Sequence, residues 1–243
     1  MRSAVTLSLV CLAAGAARAE GTCPLPKDAA PALASAAPEQ RLAFIEGTLD
    51  GQARASEIWA WIWGVGESAL VVYNVTDAVL VVGEPARANA VVGAAAAIIP
   101  PALILALPPK AIADRRAVAA AVLRSGPSCE TLTLAEAALA RDADDEAFAT
   151  SWVVHVGVVA VTAAAALVLG LGYGSWVDAA ITGGAVFVLG EGQTWTHPRG
   201  AIEAERRYLA GDLGAPPPSP RVAWGVVPFV GRGAFGAMLT LAE

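Results

Sequence analysis

Residues 152–172 read WVVHVGVVAVTAAAALVLGLG, a run of 21 residues without Asp, Glu, Lys or Arg. At a rise of about 1.5 Å per residue, a helix of this length spans roughly 30 Å, the thickness of a bilayer's hydrocarbon core. The stretch therefore predicts an apolar helix that is long enough to cross a membrane.

Three further apolar segments accompany it, at 58–82, 90–107 and 176–195. Glycine and proline at 83–85 separate the first two of these, and glycines within 170–174 precede the third. The pattern predicts a mainly α fold of two long antiparallel helical hairpins, in which the four apolar segments are transmembrane helices.

Composition divides the rest of the chain. Arg2, the apolar run that follows it and the small residues around Arg18 predict a signal peptide for secretion over 1–19. The expected order after it is an extended lead-in (20–37), a helical membrane domain (38–212), a Pro-rich linker (213–220) and a small C-terminal β-hairpin (221–243).

The cysteines and the expected topology agree with one another. Cys11 would leave with the signal peptide, and Cys23 and Cys129 remain, a pair that favours a disulfide in an exported protein. Cleavage would place the new N-terminus and the long loop at 108–151 outside the cytoplasm. We therefore expect a membrane of a bacterial cell envelope.

Overall composition excludes several classes of protein. Hydrophobic residues make up 56% of the chain and charged residues 16%, which is unlike a disordered protein. A net charge of −6 gives no electrostatic footprint for nucleic acid. The expected partners are membrane lipids, with another envelope protein as a further candidate.

Polar side chains inside the apolar segments are candidate functional residues. They are Glu67, Asn74, Asp77, Asp178 and Glu191. Because charges in hydrocarbon are costly, these side chains should face the interior of the bundle. They would form either a hydrogen-bond network that locks the helices together or a proton path.

A second polar group is expected at the outer end of the bundle. Antiparallel packing would bring His155, Glu191, Gln193 and His197 to one level, as a hydrogen-bonded cluster. Their spacing matches no metal motif, so neither a metal nor a cofactor is expected. The acidic run at 141–146 is interpreted as a solvated face.

No Ser–His–acid order, CxxC or HExxH pattern is present, so we do not expect an enzyme. The favoured function is that of a non-enzymatic integral membrane protein with a structural or partner-binding role. One alternative is a small transporter or proton-coupled protein, which requires the acids to converge on a cavity that water can enter. The other is a soluble periplasmic bundle that binds an apolar ligand, which requires an enclosed apolar cavity and a polar surface around 152–172.

Overall fold

The computed structural model describes residues 23–214 in full and the backbone of 225–231 and 234–240. The chain is mainly helical, as predicted, and the expected signal peptide lies outside the described residues. The helices are α1 (Pro31–Ala34), α2 (Pro38–Leu80), α3 (Ala86–Ala106), α4 (Lys110–Ser125), α5 (Cys129–Ala149), α6 (Trp152–Leu167), α7 (Trp176–Trp195) and α8 (Ala201–Ala210).

Helix α2 organises the fold because it belongs to two packing units. It has 43 residues, which corresponds to a length of about 65 Å. Its first half packs with α4, α5 and α8, α1 packs on α8, and we call this unit the head. Its second half, from about residue 57, packs along α3, which in turn contacts α6 and α7, and we call this unit the bundle.

The head has a conventional buried core. Its largest fully buried side chains include Leu33, Ile45, Leu49, Leu132 and Tyr208. A disulfide between Cys23 and Cys129, with the Cα atoms 5.1 Å apart, joins the start of the described chain to the first residue of α5. The pairing expected from the sequence is therefore present.

A buried polar triad lies within this core. The Arg41 guanidinium donates hydrogen bonds to Glu136 and to the hydroxyl of Tyr208, and the same hydroxyl donates to Glu136. Arg41 is 2% exposed, so its charge is compensated inside the protein. The triad joins α2, α5 and α8.

Two expectations for the polar parts of the chain need correction. The stretch at 108–151 is not a loop, because α4 and α5 occupy most of it and bury their apolar faces in the head. Ser128 caps α5 by accepting a hydrogen bond from the Thr131 N–H. The lead-in is not wholly extended either, since α1 forms within it and packs on α8.

The bundle consists of two antiparallel hairpins, α2–α3 and α6–α7. Helix α3 begins at Ala86 rather than at 90 and continues through Pro100 and Pro101. After α6 the chain continues as a π-helix over Val168–Gly172, so the turn between the hairpin's helices begins only at 174. A β-carbon at Gly170 would lie 2.6 Å from the Trp176 ring, so the ring can pack only against a glycine.

Two stretches of extended backbone, Gly225–Gly231 and Ala234–Thr240, run antiparallel near the C-terminus. Their side chains lie outside the described residues, as do 215–224, 232–233 and 241–243. The described residues therefore do not support the predicted hairpin as a packed element, and both it and the Pro-rich linker stay predictions.

Candidate functional site: the apolar bundle and its polar residues

Two helical stretches of the described chain are long and apolar enough to cross a membrane, Ala86–Ser125 and Trp152–Gly172. The second is the predicted segment, and the first contains α3. The other two predicted spans, in α2 and α7, are not among these candidates. Both helices carry acidic residues inside their apolar segments, Glu67 and Asp77 on α2 and Asp178 and Glu191 on α7, which lower their mean hydropathy.

Exposed apolar side chains nevertheless cover all four helices of the bundle. Examples on the two less apolar helices are Val72, Val79, Leu80, Val177 and Val188. A water-soluble protein rarely exposes so large a contiguous apolar surface. The head is different, since its large exposed hydrophobic side chains, such as Leu123, are few and scattered.

Aromatic side chains border this apolar surface at both ends. Trp61, Trp152 and Trp195 are exposed at the end that adjoins the head. Tyr173 and Trp176 are exposed at the opposite end, 21 and 19 residues along the helices from Trp152 and Trp195 respectively. These separations correspond to about 30 Å, and such bands of Trp and Tyr are typical of the two interfaces of a membrane.

The two hairpins meet through tryptophans on α2. The Trp63 indole donates to the Thr196 hydroxyl at 2.9 Å, and its ring lies against Gly192. The Trp59 indole donates to the Gln193 carbonyl at 3.3 Å. Together these contacts hold α2 against the end of α7 that adjoins the head.

Asparagines stabilise the interior nearer the far end. Asn74 donates to the Leu70 carbonyl within α2, and its side chain packs on Gly93, where a β-carbon would lie 2.5 Å from the amide oxygen. Thr182 donates to the Asn89 side chain at 2.5 Å, which links α7 to α3. These are helix-to-helix contacts of the kind that polar residues make in membrane bundles.

Of the candidate intramembrane acids, Glu67 lies deepest in the bundle. It is 3% exposed, and its Oε2 atom is buried with no hydrogen-bond partner among the described residues. It is ten residues, or about 15 Å, from the head end of the bundle. The Thr162 hydroxyl on α6 is also buried, and no residue in the described part of the chain bonds to it.

The remaining acids lie near the ends of the helices. Asp77 is three residues from the end of α2, and Asp178 is in the first turn of α7, where it accepts a hydrogen bond from the Ser175 hydroxyl. Glu191 is near the opposite end of α7 and pairs with His155. A transport path through these acids requires them to converge on one cavity. In the described chain they lie at separate places.

The outer polar group is divided between two sides of α7. Glu191 accepts hydrogen bonds from the Trp195 indole at 3.0 Å and pairs with His155 Nδ1 at 2.8 Å. His197 instead packs edge-on against Trp59, to which the Gln193 carbonyl is also bonded. Residues 191 and 193 are about 200° apart around a helix, so they face opposite directions.

A small cavity lies between the head and the bundle, and the sequence did not indicate it. Its volume is about 10 Å³, about the least that can hold one water molecule. Side chains from three parts of the chain line it: Gln52, Ser56, Asp142, Asp145, Glu146 and His197.

The carboxyl groups at this cavity differ in their partners. Glu146 accepts hydrogen bonds from the N–H groups of Gly200, Ala201 and Ile202, so it caps α8. Asp142 is 6% exposed and its Oδ2 atom has no partner among the described residues. Burial raises the pKa of Asp142 to about 7, with further contributions from neighbouring carboxylates.

His197 has the opposite tendency. Burial lowers its pKa, and its Nδ1–H donates to the Pro198 carbonyl. The interpretation of 141–146 as a solvated face is thus wrong for Asp142 and Glu146, which are both buried. The run is amphipathic, with one side turned toward α2 and α8.

No group of three or more His, Cys, Asp or Glu side chains in the described part of the chain could hold a metal ion. No protein-family model, curated protein or solved structure matches this chain. Its function must therefore be argued from its own residues.

Proposed function

We propose that this chain is an integral membrane protein of a bacterial cell envelope, with a structural or partner-binding role and no enzymatic activity. The four bundle helices span the bilayer, and the head lies outside the cytoplasm. The observation that carries the proposal is the exposed apolar surface, which continues around α2, α3, α6 and α7.

Energetics favour lipid as the partner of this surface. Apolar area gains roughly 25 cal/mol per Å² when it leaves water, so exposing four apolar helix faces to water would strongly oppose folding as a soluble monomer. The aromatic residues about 30 Å apart match the thickness of the hydrocarbon core. Asp77 and Asp178 lie close enough to the helix ends to reach the interface.

The orientation follows from the head. Its disulfide is stable in an oxidising compartment, which favours a location outside the cytoplasm. Several of the described carboxylates take part in structural bonds, such as the cap on α8 and the pair with His155. Such an arrangement favours a scaffold over a catalyst.

Cysteine labelling from one side of the membrane tests this topology. The experiment replaces two exposed residues, one at a time, by cysteine. Val82 is 97% exposed in the turn between α2 and α3, and Leu123 is 87% exposed on the head. The native pair stays in its disulfide and does not react. An impermeant maleimide added outside intact inner-membrane spheroplasts should label Leu123→Cys and leave Val82→Cys unlabelled until the membrane is opened. Labelling of both variants from outside would overturn the topology.

A further inference from the structure

The interior of the α2–α3 hairpin contains an acid and a pair of prolines at the same height. Asn74 packs directly on Gly93, which fixes the antiparallel register of the two helices. Glu67 is seven residues before Asn74, and Pro100 is seven residues after Gly93. Seven residues correspond to about 10.5 Å and nearly two full turns, so Glu67 and Pro100 lie level with each other on the facing sides of their helices.

The prolines leave hydrogen-bond acceptors free at this height. A proline has no N–H, so Pro100 and Pro101 donate nothing to the carbonyls of Ala96 and Ala97, four residues earlier in α3. Pro101 is buried, and Ala96 and Ala97 are half-buried, which places this part of α3 against the rest of the bundle. Two carbonyl oxygens there lack their helical partners.

Glu67 lacks the opposite kind of partner. No described residue donates a hydrogen bond to its buried Oε2 atom or forms an ion pair with it. A carboxylate in such surroundings would be an uncompensated buried charge, whereas the neutral acid carries an O–H that needs an acceptor. The free carbonyls of α3 are acceptors of the required kind.

The other titratable groups in the bundle form no ion pair with Glu67 among the described residues, and His155 pairs with Glu191 instead. They are Glu57, Tyr73 and Asp77 on α2, Arg87 on α3, His155 on α6, and Asp178 and Glu191 on α7. Arg87 is the one permanent cation in this set and lies 13 residues from Pro100, about 20 Å along α3.

We propose that Glu67 is a proton-binding site in the middle of the bundle, where its neutral carboxyl group donates a hydrogen bond to a carbonyl that Pro100 and Pro101 leave free on α3. The ligand is a proton, which the carboxylate takes from water. While the proton is bound, the hydrogen bond of the neutral carboxyl group holds α2 to α3. The inference rests on the packing of α2 against α3 and not on the membrane insertion proposed above.

The test uses a hydrophobic carbodiimide on the full-length protein in detergent micelles, with the modified peptide identified by mass spectrometry. This reagent reacts with protonated carboxyl groups in apolar surroundings. We expect an adduct at Glu67 that is lost as the pH is raised, and no adduct in the matched variant Glu67→Gln. Replacing both Pro100 and Pro101 by alanine returns N–H donors that occupy these carbonyls of α3. The neutral carboxyl group then loses its acceptor, so labelling at a given pH should fall.

An infrared difference spectrum between the wild type and Glu67→Gln keeps the test decisive if the reagent cannot reach the site. A carbonyl band of a protonated carboxyl group at neutral pH supports the proposal, and its absence overturns it. Suppression of the adduct by sodium ions at constant pH would also overturn it, because the site would then bind a metal cation. Circular dichroism should show that the variants keep the wild-type helix content.

Discussion

Trp63 on α2 donates its indole N–H to the hydroxyl of Thr196, one residue beyond the end of α7, at 2.9 Å. The ring is buried and lies against Gly192, where a β-carbon would be 3.2 Å from its edge. This contact joins the two hairpins next to the head. Trp61, two residues earlier, points outward and is 73% exposed.

Replacing Trp63 by phenylalanine should destabilise the protein. The variant leaves the Thr196 hydroxyl without its donor and creates a small void beside Gly192, so we expect a loss of about 1–3 kcal/mol in the free energy of unfolding. Thermal unfolding in detergent, followed by circular dichroism, measures it. The matched control is Trp61→Phe, which should unfold with the wild type, and equal losses in both variants would contradict the packing of Trp63.

The buried carboxyl group of Asp142 should make stability depend on pH. Its pKa is raised from 3.8 to about 7 in the folded protein. Between these values the folded state holds a proton that the unfolded state has released, so the free energy of unfolding falls as pH rises. The full effect is up to about 4 kcal/mol.

The variant Asp142→Asn removes this titration. Above pH 7 it should be more stable than the wild type, and its stability should change less between about pH 4 and pH 7. His197 has a lowered pKa and contributes a slope of opposite sign, which largely cancels in the difference between the two proteins. Asp50→Asn, at an exposed ion pair with Arg115, is the control and should follow the wild type. Parallel pH profiles for Asp142→Asn and the wild type would refute the burial of this side chain.

The disulfide should contribute strongly to the stability of the head. It closes a loop between positions 106 residues apart, for which chain entropy alone gives about 4–5 kcal/mol. Replacing both Cys23 and Cys129 by serine should therefore lower the unfolding temperature markedly. Mass mapping without reduction should recover the two half-cystines in one linked peptide pair, and two free thiols would contradict the bond.

Local sequence patterns were sufficient to predict the apolar helices. The uninterrupted apolar run at 152–172 indicates a helix, and the structure is helical over these residues. The sequence also contained the information that Glu191 and Gln193 lie on different sides of α7, since residues two positions apart in a helix face nearly opposite directions. The predicted cluster took account of the height of these residues along the helix and not of their angle around it, so the split was missed.

The head could not be predicted in the same way. The burial of Asp142 and Glu146 depends on α2, α8 and the residues at 197–201, which are distant in sequence. An acidic run has the same letters whether it faces water or caps another helix. The two packing units along α2 were not predicted either. The sequence shows an amphipathic half followed by an apolar half, but not that one uninterrupted helix carries the first into the head and the second into the bundle.

Extraction of membranes with alkaline carbonate is the measurement that tests the central claim most directly. We predict that the full-length protein stays in the membrane pellet after the wash, as a protein anchored by four helices does, and that detergent releases it. Recovery of the protein in the carbonate supernatant would contradict the account. The apolar surface of α2, α3, α6 and α7 would then have to be covered by something other than lipid.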